Sequence, residues 1–181
     1  VRRNAGNLAE LAQLRLSEGK NSEALNLFRR YLGFRPDDHA VYAEYAQLVL
    51  IRARSPEATS NDVARAFSTL ETAVRRNPAD DGLRQQLAQF QLQIGRFSDS
   101  RQHLVLLRKK ALEPLLPADA SNQSTDTPPK TAADKAPLNV SAIDVMLIQS
   151  YIGTGDLEQA ATIASDLIGF DMKTKTFDPE K

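Results

Sequence analysis

The sequence predicts an all-α fold built from repeated helix-turn-helix units, and two recurring features lead to this prediction. A triplet of an apolar residue, Ala and Gln recurs at 11–13, 45–47 and 87–89. A Gly stands six residues after three of the repeated Gln residues, at positions 19, 95 and 155. Self-similarity at a fixed period of about 20 to 50 residues is typical of folds in which small units stack on one another.

The repeated Gln gives the length of the unit. Gln13 and Gln47 are 34 residues apart, Gln47 and Gln89 are 42 apart, and Gln89 and Gln149 are 60 apart. We interpret 34 residues as the bare period, with inserts of 8 and 26 residues in the later intervals. The predicted units cover about 5–38, 39–80, 81–116 and 138–170.

In the first unit, apolar residues at helical spacing predict two helices separated by Gly19. Leu8, Leu11 and Ala12 form the stripe that is expected to pack against the second helix. The stripe of that second helix is Ala24, Phe28 and Tyr31. Gly suits a helix C-terminus because it adopts a left-handed backbone conformation without strain, and Pro36 cannot continue the helix before it.

The second and third units repeat this arrangement, with one change in the second. Its turn is enlarged near 52–61, where Pro56 and a polar cluster predict a loop and either Ser60 or Asn61 is expected to cap the next helix. The second helix of the third unit is expected to continue towards Leu112.

A segment of different composition precedes the fourth unit. Residues 117–137 contain no aromatic residue, Leu, Ile, Val or Met and are rich in Pro, Ser, Thr and Ala, which predicts a flexible insert. The fourth unit then restores the helical pattern, and residues 171–181 are expected to form a C-terminal tail.

Composition disfavours several classes of function. The 23 basic and 23 acidic residues cancel, so there is no positive field of the kind that binds nucleic acid. Cys is absent, and the two imidazoles, His39 and His103, lack metal-ligand spacing. No apolar run is long enough to insert into a membrane. We therefore expect no catalytic site, metal, cofactor, nucleic-acid partner or membrane insertion by this segment.

These residues resemble the tetratricopeptide repeat family. The family's small residue early in the second helix matches Ala24, Ala66 and Ala160, and its closing proline matches Pro36 and Pro78. Its turn glycine, aromatic residue and first-helix tyrosine match Gly19, Gly95, Gly155, Phe28 and Tyr151. Ser100 replaces the small Ala in the third unit, and the characteristic tryptophan is missing because the chain has no Trp.

The resemblance covers roughly residues 5–112 and 139–170. It implies a right-handed superhelical solenoid without enzymatic activity that binds a peptide or protein segment in a concave groove lined by first helices. A variant of the family binds chaperone tails through basic residues and Asn. Here the matching places hold Ala9, Gln13, Gly82 and Gln86, so that ligand is disfavoured.

Helical geometry then selects the groove residues, because Gln13 lies about 140° around its helix from the packing residue Leu8. The predicted partner-binding residues are Ala9, Gln13, Leu16, Ala43, Gln47, Leu50, Gln85, Gln89, Leu92 and Gln149, with Val145 and Ile152 beside the last. Carboxamides both donate and accept hydrogen bonds, so they could bind a peptide backbone. The simpler interpretation, which the sequence favours, is that Gln is a good helix former at a wet position.

Three further matters stay open at this stage. The chain could instead be a self-assembly module, because its last unit lacks a clear polar capping helix, or a regulatory segment of a larger protein. It begins with Val1, and we expect it to be a fragment of a longer chain. The identity of the protein partner is unknown, and the compartment is undecided, with the cytoplasm slightly favoured.

Overall fold

A computed structural model describes residues 2–113, 138–171, 174, 176 and 177. Over these residues the chain forms eight helices and one antiparallel pair of two-residue strands. The helices are α1 (Arg2–Ser17), α2 (Asn21–Phe34), α3 (His39–Ala53), α4 (Ser60–Arg76), α5 (Asp81–Gln93), α6 (Phe97–Leu112), α7 (Val140–Thr154) and α8 (Leu157–Ile168). The strands are β1 (Phe170–Asp171) and β2 (Thr176–Phe177). The all-α fold of helical hairpins that the sequence predicts is confirmed.

The chain divides into two compact units, residues 1–87 and 88–181, with the boundary inside α5. In the first unit α1 packs against α2, α2 against α3, and α3 against α4. Ala24 and Ala66 are fully buried, and Phe28 and Leu70, each four residues later, are also fully buried. The small side chains let neighbouring helices approach, and the large ones fill the space between them.

Three helical hairpins turn at a glycine, as the sequence predicts. Gly19, Gly95 and Gly155 have φ values of 75°, 77° and 79°, which lie in the left-handed region. This conformation disfavours residues with a Cβ, which explains why the same residue recurs six positions after the repeated Gln.

The junction between the first two hairpins is fixed by Asp38. Its side chain caps α3 by accepting a hydrogen bond from the Val41 N–H at 3.1 Å, and it also accepts one from the Tyr31 hydroxyl at 2.6 Å. These bonds, first the one from Tyr31, hold the pKa of Asp38 below its ordinary 3.8. The same contact raises the pKa of Tyr31 above 10.0, so the hydroxyl keeps its proton at neutral pH.

Replacing Tyr31 by Phe is expected to lower the free energy of unfolding by about 1 kcal/mol at pH 7. Because the folded-state pKa of Asp38 is depressed, the stabilisation is present above pH 3.8 and is lost as the pH falls through the lower folded value. Urea unfolding at pH 7 and at about pH 2.5 should therefore show a difference between wild type and Tyr31→Phe that shrinks in acid. A difference of equal size at both pH values would contradict this coupling.

The cap of α4 differs from the sequence prediction of Ser60 or Asn61. The capping residue is Thr59, whose hydroxyl accepts a hydrogen bond from the Asp62 N–H at 3.2 Å. The Asp62 carboxylate accepts one in return from the Thr59 N–H at 2.9 Å. This reciprocal pair satisfies two unpaired donors at the helix start, which neither alternative offers.

In the second unit α7 packs against both α6 and α8. Its core joins Ala88 of α5, Leu104 and Leu107 of α6, and Ile143 and Leu147 of α7, all buried. The segment predicted as a flexible insert, 117–137, lies outside the described residues. Part of the predicted C-terminal tail forms β1 and β2, in which Phe170 pairs with Phe177.

One packing prediction in the first hairpin was wrong. Leu11, placed on the stripe that packs against the second helix, is 37% exposed, whereas its neighbour Ala12 is fully buried. Helical spacing locates a residue around its own helix, but the cover over that residue depends on how the neighbouring helices pack.

Candidate functional site

The four repeated Gln residues are all exposed in the structure: Gln13 on α1, Gln47 on α3, Gln89 on α5 and Gln149 on α7. In α1, α3 and α5 the residue before the Gln is a fully buried Ala. Because consecutive helical residues point about 100° apart, burial of the Ala turns the following Gln towards solvent.

Most of the other predicted partner-binding residues are less accessible. Ala9, Leu16, Ala43, Gln85 and Leu92 are half-buried, while Val145 and Ile152 are exposed. Leu50 does not offer surface to a partner because it is only 4% exposed. It belongs to a run of three buried residues, 48–50, since α3 is covered by helices on both sides, and the adjacent Ile51 is the one that points outward.

Three of the predicted residues come together in a pocket of the second unit, with a volume of about 470 Å³. We call it the carboxamide pocket; its described lining is Gln89, Leu92 and Gln93 of α5, Phe97 of α6, and Met146 and Gln149 of α7. The volume falls within the range of about 300–1,000 Å³ that is usual for ligand sites in proteins.

Each helix supplies its lining residues for a simple geometric reason. Gln89 and Gln93 are four residues apart on α5, so both lie on one side of the helix. The left-handed Gly95 then ends α5, and α6 begins at Phe97, whose ring closes one side of the pocket. Gln149 lines the same pocket from α7, which packs against α6.

The Phe97 ring packs directly against the backbone of α7 at Gly153. A Cβ at position 153 would overlap three atoms of that ring. Gly is therefore required at this place for close approach and not for an unusual backbone angle, since position 153 lies inside a regular helix.

Substituting Ala for Gly153 is expected to destabilise the protein by about 1–2 kcal/mol and to displace Phe97 from the pocket. The matched control is Gly33→Ala, on α2, where an added Cβ meets nothing within 4 Å and better helix propensity should stabilise by up to about 1 kcal/mol. Thermal unfolding followed by circular dichroism measures both. Equal melting temperatures for the two variants would rule out the close contact.

The carboxamide pocket is electrically neutral over its described lining, which contains three carboxamides, two aliphatic side chains and one ring. Charged residues nearby on the same unit are paired with one another. Arg96 donates to Asp99 at 2.6 Å, and Arg101 lies 3.9 Å from Asp156 and 5.0 Å from the centre of the Tyr151 ring. The arrangement can exchange hydrogen bonds and bury apolar surface, and none of the six described lining residues is an acid, a base or a nucleophile.

Sequence reasoning missed half of this lining: Gln93, Phe97 and Met146. A signal for Gln93 was available, because it follows the predicted Gln89 by one helical turn. Phe97 and Met146 carried no such signal, since their position depends on how α6 and α7 pack.

In the first unit, Gln13 and Gln47 do not line the pocket that the structure describes there. That pocket has a volume of about 230 Å³. It is lined by residues of α2, α3 and the loop after α3, including Leu25, Leu48 and Ile51. Whether the predicted residues of both units share one groove stays a prediction.

Other kinds of site are missing from the described part of the chain. Over residues 2–113 and 138–171, no group of three or more His, Cys, Asp or Glu side chains could hold a metal ion. None of the helices described above has the length and hydropathy needed to cross a membrane.

Paired helices joined at a glycine turn, with a buried small residue early in the second helix, define the chain as a helical-hairpin repeat protein. Residues 57–116 match the family model described as tetratricopeptide repeat, and the predicted resemblance to that family is confirmed.

Solved structures of MamA share the fold. The chain is 16% identical to MamA AMB-1 with a TM-score of 0.61, covering 92% of this chain and 75% of that one. For MamA 41-end from Desulfovibrio magneticus RS-1 the values are 17% identity, a TM-score of 0.59, and coverage of 93% and 78%. No curated protein sequence matches the chain. The tetratricopeptide-repeat fold suggests a protein-interaction scaffold, and proteins of that family are typically not enzymes.

Proposed function

We propose that the protein is a non-enzymatic scaffold that binds an extended, uncharged peptide segment of a partner protein at the carboxamide pocket. The observation that carries this proposal is the meeting of Gln89 and Gln149, from two different first helices, across one pocket of about 470 Å³. A peptide laid between them would insert one large apolar side chain among Leu92, Phe97 and Met146.

Hydrogen bonding favours a peptide backbone as the ligand. Each carboxamide offers two N–H donors and one acceptor oxygen, and a peptide unit offers one of each. An extended strand presents these groups at regular spacing, so carboxamides on both sides of the pocket could form hydrogen bonds with its backbone whatever its side chains are. Specificity would then come from the inserted apolar side chain.

The surface beside the pocket supports an extended ligand as well. Val145 and Ile152 are 45% and 55% exposed and lie on either side of Gln149 along the same side of α7. Seven helical residues rise about 10 Å, which is the length of about three residues of extended chain. Apolar contact could therefore continue along the peptide beyond the pocket.

The lack of charged groups in the described lining predicts the composition of the ligand. A charged side chain placed there would lose its hydration without gaining a partner. Selection from a displayed library of random peptides of about eight residues should enrich sequences with no net charge and one central Leu, Ile, Met or Phe.

Binding of one such selected peptide tests the proposal directly. Gln89→Ala combined with Gln149→Ala should raise the dissociation constant about tenfold, which corresponds to the loss of one to two net hydrogen bonds. The matched control is Gln13→Ala combined with Gln47→Ala, at the same repeat positions in the first unit. It should change the affinity less than about twofold if the pocket and not the whole row of carboxamides holds the peptide.

Calorimetric titration of the two double variants gives the decisive comparison. Enrichment of charged peptides, or an unchanged affinity of the Gln89→Ala/Gln149→Ala variant, would overturn the proposal. In the latter case the repeated Gln would be a helix former at a wet position, as the simpler interpretation of the sequence holds.

A further inference from the structure

The second unit contains another cavity, which is separate from the carboxamide pocket and has an apolar floor. Its volume is about 560 Å³, and α6, α7 and α8 supply its described lining. The floor consists of Leu147 and Tyr151 of α7 and Ile163 of α8. Leu147 is only 1% exposed, and the other two side chains pack against the buried cluster to which it belongs. We call this cavity the three-helix groove.

The three-helix groove runs lengthwise along α6 and α8. Its lining extends over residues 105–113 at α6 and 159–166 on α8, which correspond to rises of about 12 Å and about 10 Å, or about two helical turns. Arg101, nearer the start of α6, lies 3.9 Å from Asp156, which caps the start of α8. The two helices therefore begin at the same end of the groove and run in the same direction. An elongated segment matches this shape better than a compact molecule.

Three charged side chains of the groove are available to a ligand. Lys109 and Glu113 at α6 and Asp166 on α8 are exposed, and none of them forms an ion pair with another described residue. Arg108 also lines the groove, but the carboxylate of Asp144 already neutralises its charge. The groove thus presents unpaired charges of both signs beside an apolar floor.

An α-helix suits this floor better than an extended chain does. An extended chain would place backbone N–H and C=O groups on the side chains of Leu147 and Ile163, which offer them no hydrogen bond. A helix satisfies these groups internally and presents an apolar stripe at the spacing of the helices that it contacts. The groove therefore differs from the carboxamide pocket, where Gln side chains can bind a peptide backbone.

We propose that the three-helix groove binds an amphipathic helix of a partner protein that carries both an acidic and a basic residue beside its apolar face. The acidic residue pairs with Lys109, and the basic residue pairs with Asp166, where the carboxylate of Glu113 adds to the attraction. Since the contact is about two turns long and its ion pairs are exposed, the dissociation constant is expected to be on the order of 10 to 100 μM.

This site is independent of the proposed peptide binding and goes beyond it. Gln149 lines the carboxamide pocket and Tyr151 lines the three-helix groove. These two residues are separated by about 200° around α7, so the sites lie on different sides of the helix. The described linings of the two sites have no residue in common.

Selection from a displayed library of helical peptides on the 181-residue chain tests the proposal. Each peptide has about fourteen residues, with Leu at positions i, i+4, i+7 and i+11 and a random choice of Glu, Lys or Gln beside this stripe. The enriched sequences should carry at least one Glu and one Lys next to the apolar face.

Charge reversal in the protein then locates the bound peptide. Lys109→Glu and Asp166→Lys should each raise the dissociation constant of one selected peptide at least about fivefold, because each replaces an attraction by a repulsion. The matched control is Glu158→Lys, which makes the same charge change as Asp166→Lys at an exposed position of α8 outside the described lining. It should change the dissociation constant less than about twofold. Replacing the interacting Glu of the peptide by Lys should restore binding to the Lys109→Glu chain, which would also show that this variant is folded.

Several results would overturn the proposal. They are enrichment of peptides that lack either Glu or Lys, an effect of Glu158→Lys as large as that of Asp166→Lys, and a failure of the exchanged peptide charge to restore binding. Loss of binding in the Gln89→Ala/Gln149→Ala variant would place the helix at the carboxamide pocket instead. Binding only to a chain that lacks residues 117–137 would assign the groove to that segment of the chain itself.

Discussion

Replacing Leu104 by Ala is expected to lower the free energy of unfolding by about 3 kcal/mol. Leu104 is fully buried in α6 and belongs to the cluster that joins α5, α6 and α7 through Ala88, Leu107 and Leu147. The substitution deletes three buried carbon atoms and leaves a cavity that the surrounding helices can only partly close. Guanidinium unfolding followed by far-ultraviolet circular dichroism measures the change.

A residue two positions along the same helix provides the control. Leu106 is 50% exposed, so Leu106→Ala should change the free energy of unfolding by less than about 0.5 kcal/mol. Both substitutions remove the same atoms and alter helix propensity equally, so their difference isolates burial. Similar values for the two variants would mean that α6 does not pack in the orientation described.

The orientation of α6 also matters for function, because this helix begins with Phe97 at the carboxamide pocket. A cavity at Leu104 lies two turns further along, so Leu104→Ala should weaken the unit without removing any lining residue. Peptide affinity measured well below the unfolding transition is expected to stay within about twofold of wild type. Stability and binding can thus be perturbed separately in the same helix.

The repeat architecture could be predicted from the sequence because the features that define it recur at a fixed interval. The fully buried Ala24 and Ala66, and the left-handed Gly19, Gly95 and Gly155, all occupy the places that the 34-residue register assigns to them. Each has a local physical reason, close helix approach or a positive φ, that restricts the residue type. A residue type that is required at the same place in successive repeats can be recognised in the sequence without knowledge of the fold.

Side chains whose role depends on contacts between elements were not predictable in this way. Leu50 and Gln47 are three residues apart, so helical geometry puts them on one side of α3, yet only Gln47 is exposed. The cover over Leu50 comes from neighbouring helices. Phe97 reaches the carboxamide pocket because Gly153 leaves room for its ring, a pairing across 56 residues that no local pattern records.

A buried ion pair of the second unit is the other contact of this kind. Arg108 of α6 donates to the Asp144 carboxylate of α7 at 2.6 Å, and the Asp144 side chain is 6% exposed. Asp144 stands three residues before Leu147, at the place where the first and second units have Leu8 and Tyr42. An acid at a position that faces the core is tolerated only when a base neutralises it.

Replacing Arg108 by Ala is expected to lower the free energy of unfolding by about 2–3 kcal/mol. The loss of the pair leaves a buried carboxylate with an uncompensated charge, a change that costs about 3–5 kcal/mol where both partners are fully buried. The Arg108 side chain is 31% exposed, so water reaches the site and reduces the effect. Denaturant unfolding at neutral pH measures this loss.

The double variant Arg108→Leu/Asp144→Leu separates the energy of the pair from the penalty of an orphaned charge. Replacing both partners by apolar residues of similar size leaves no buried charge, so its stability should lie within about 1 kcal/mol of wild type and above that of Arg108→Ala. If the double variant were less stable than Arg108→Ala, the pair itself would be the main stabilising contact between α6 and α7. The expected order instead assigns that role to the apolar cluster of Leu104, Leu107, Ile143 and Leu147 and leaves the ion pair to fix how the two helices align.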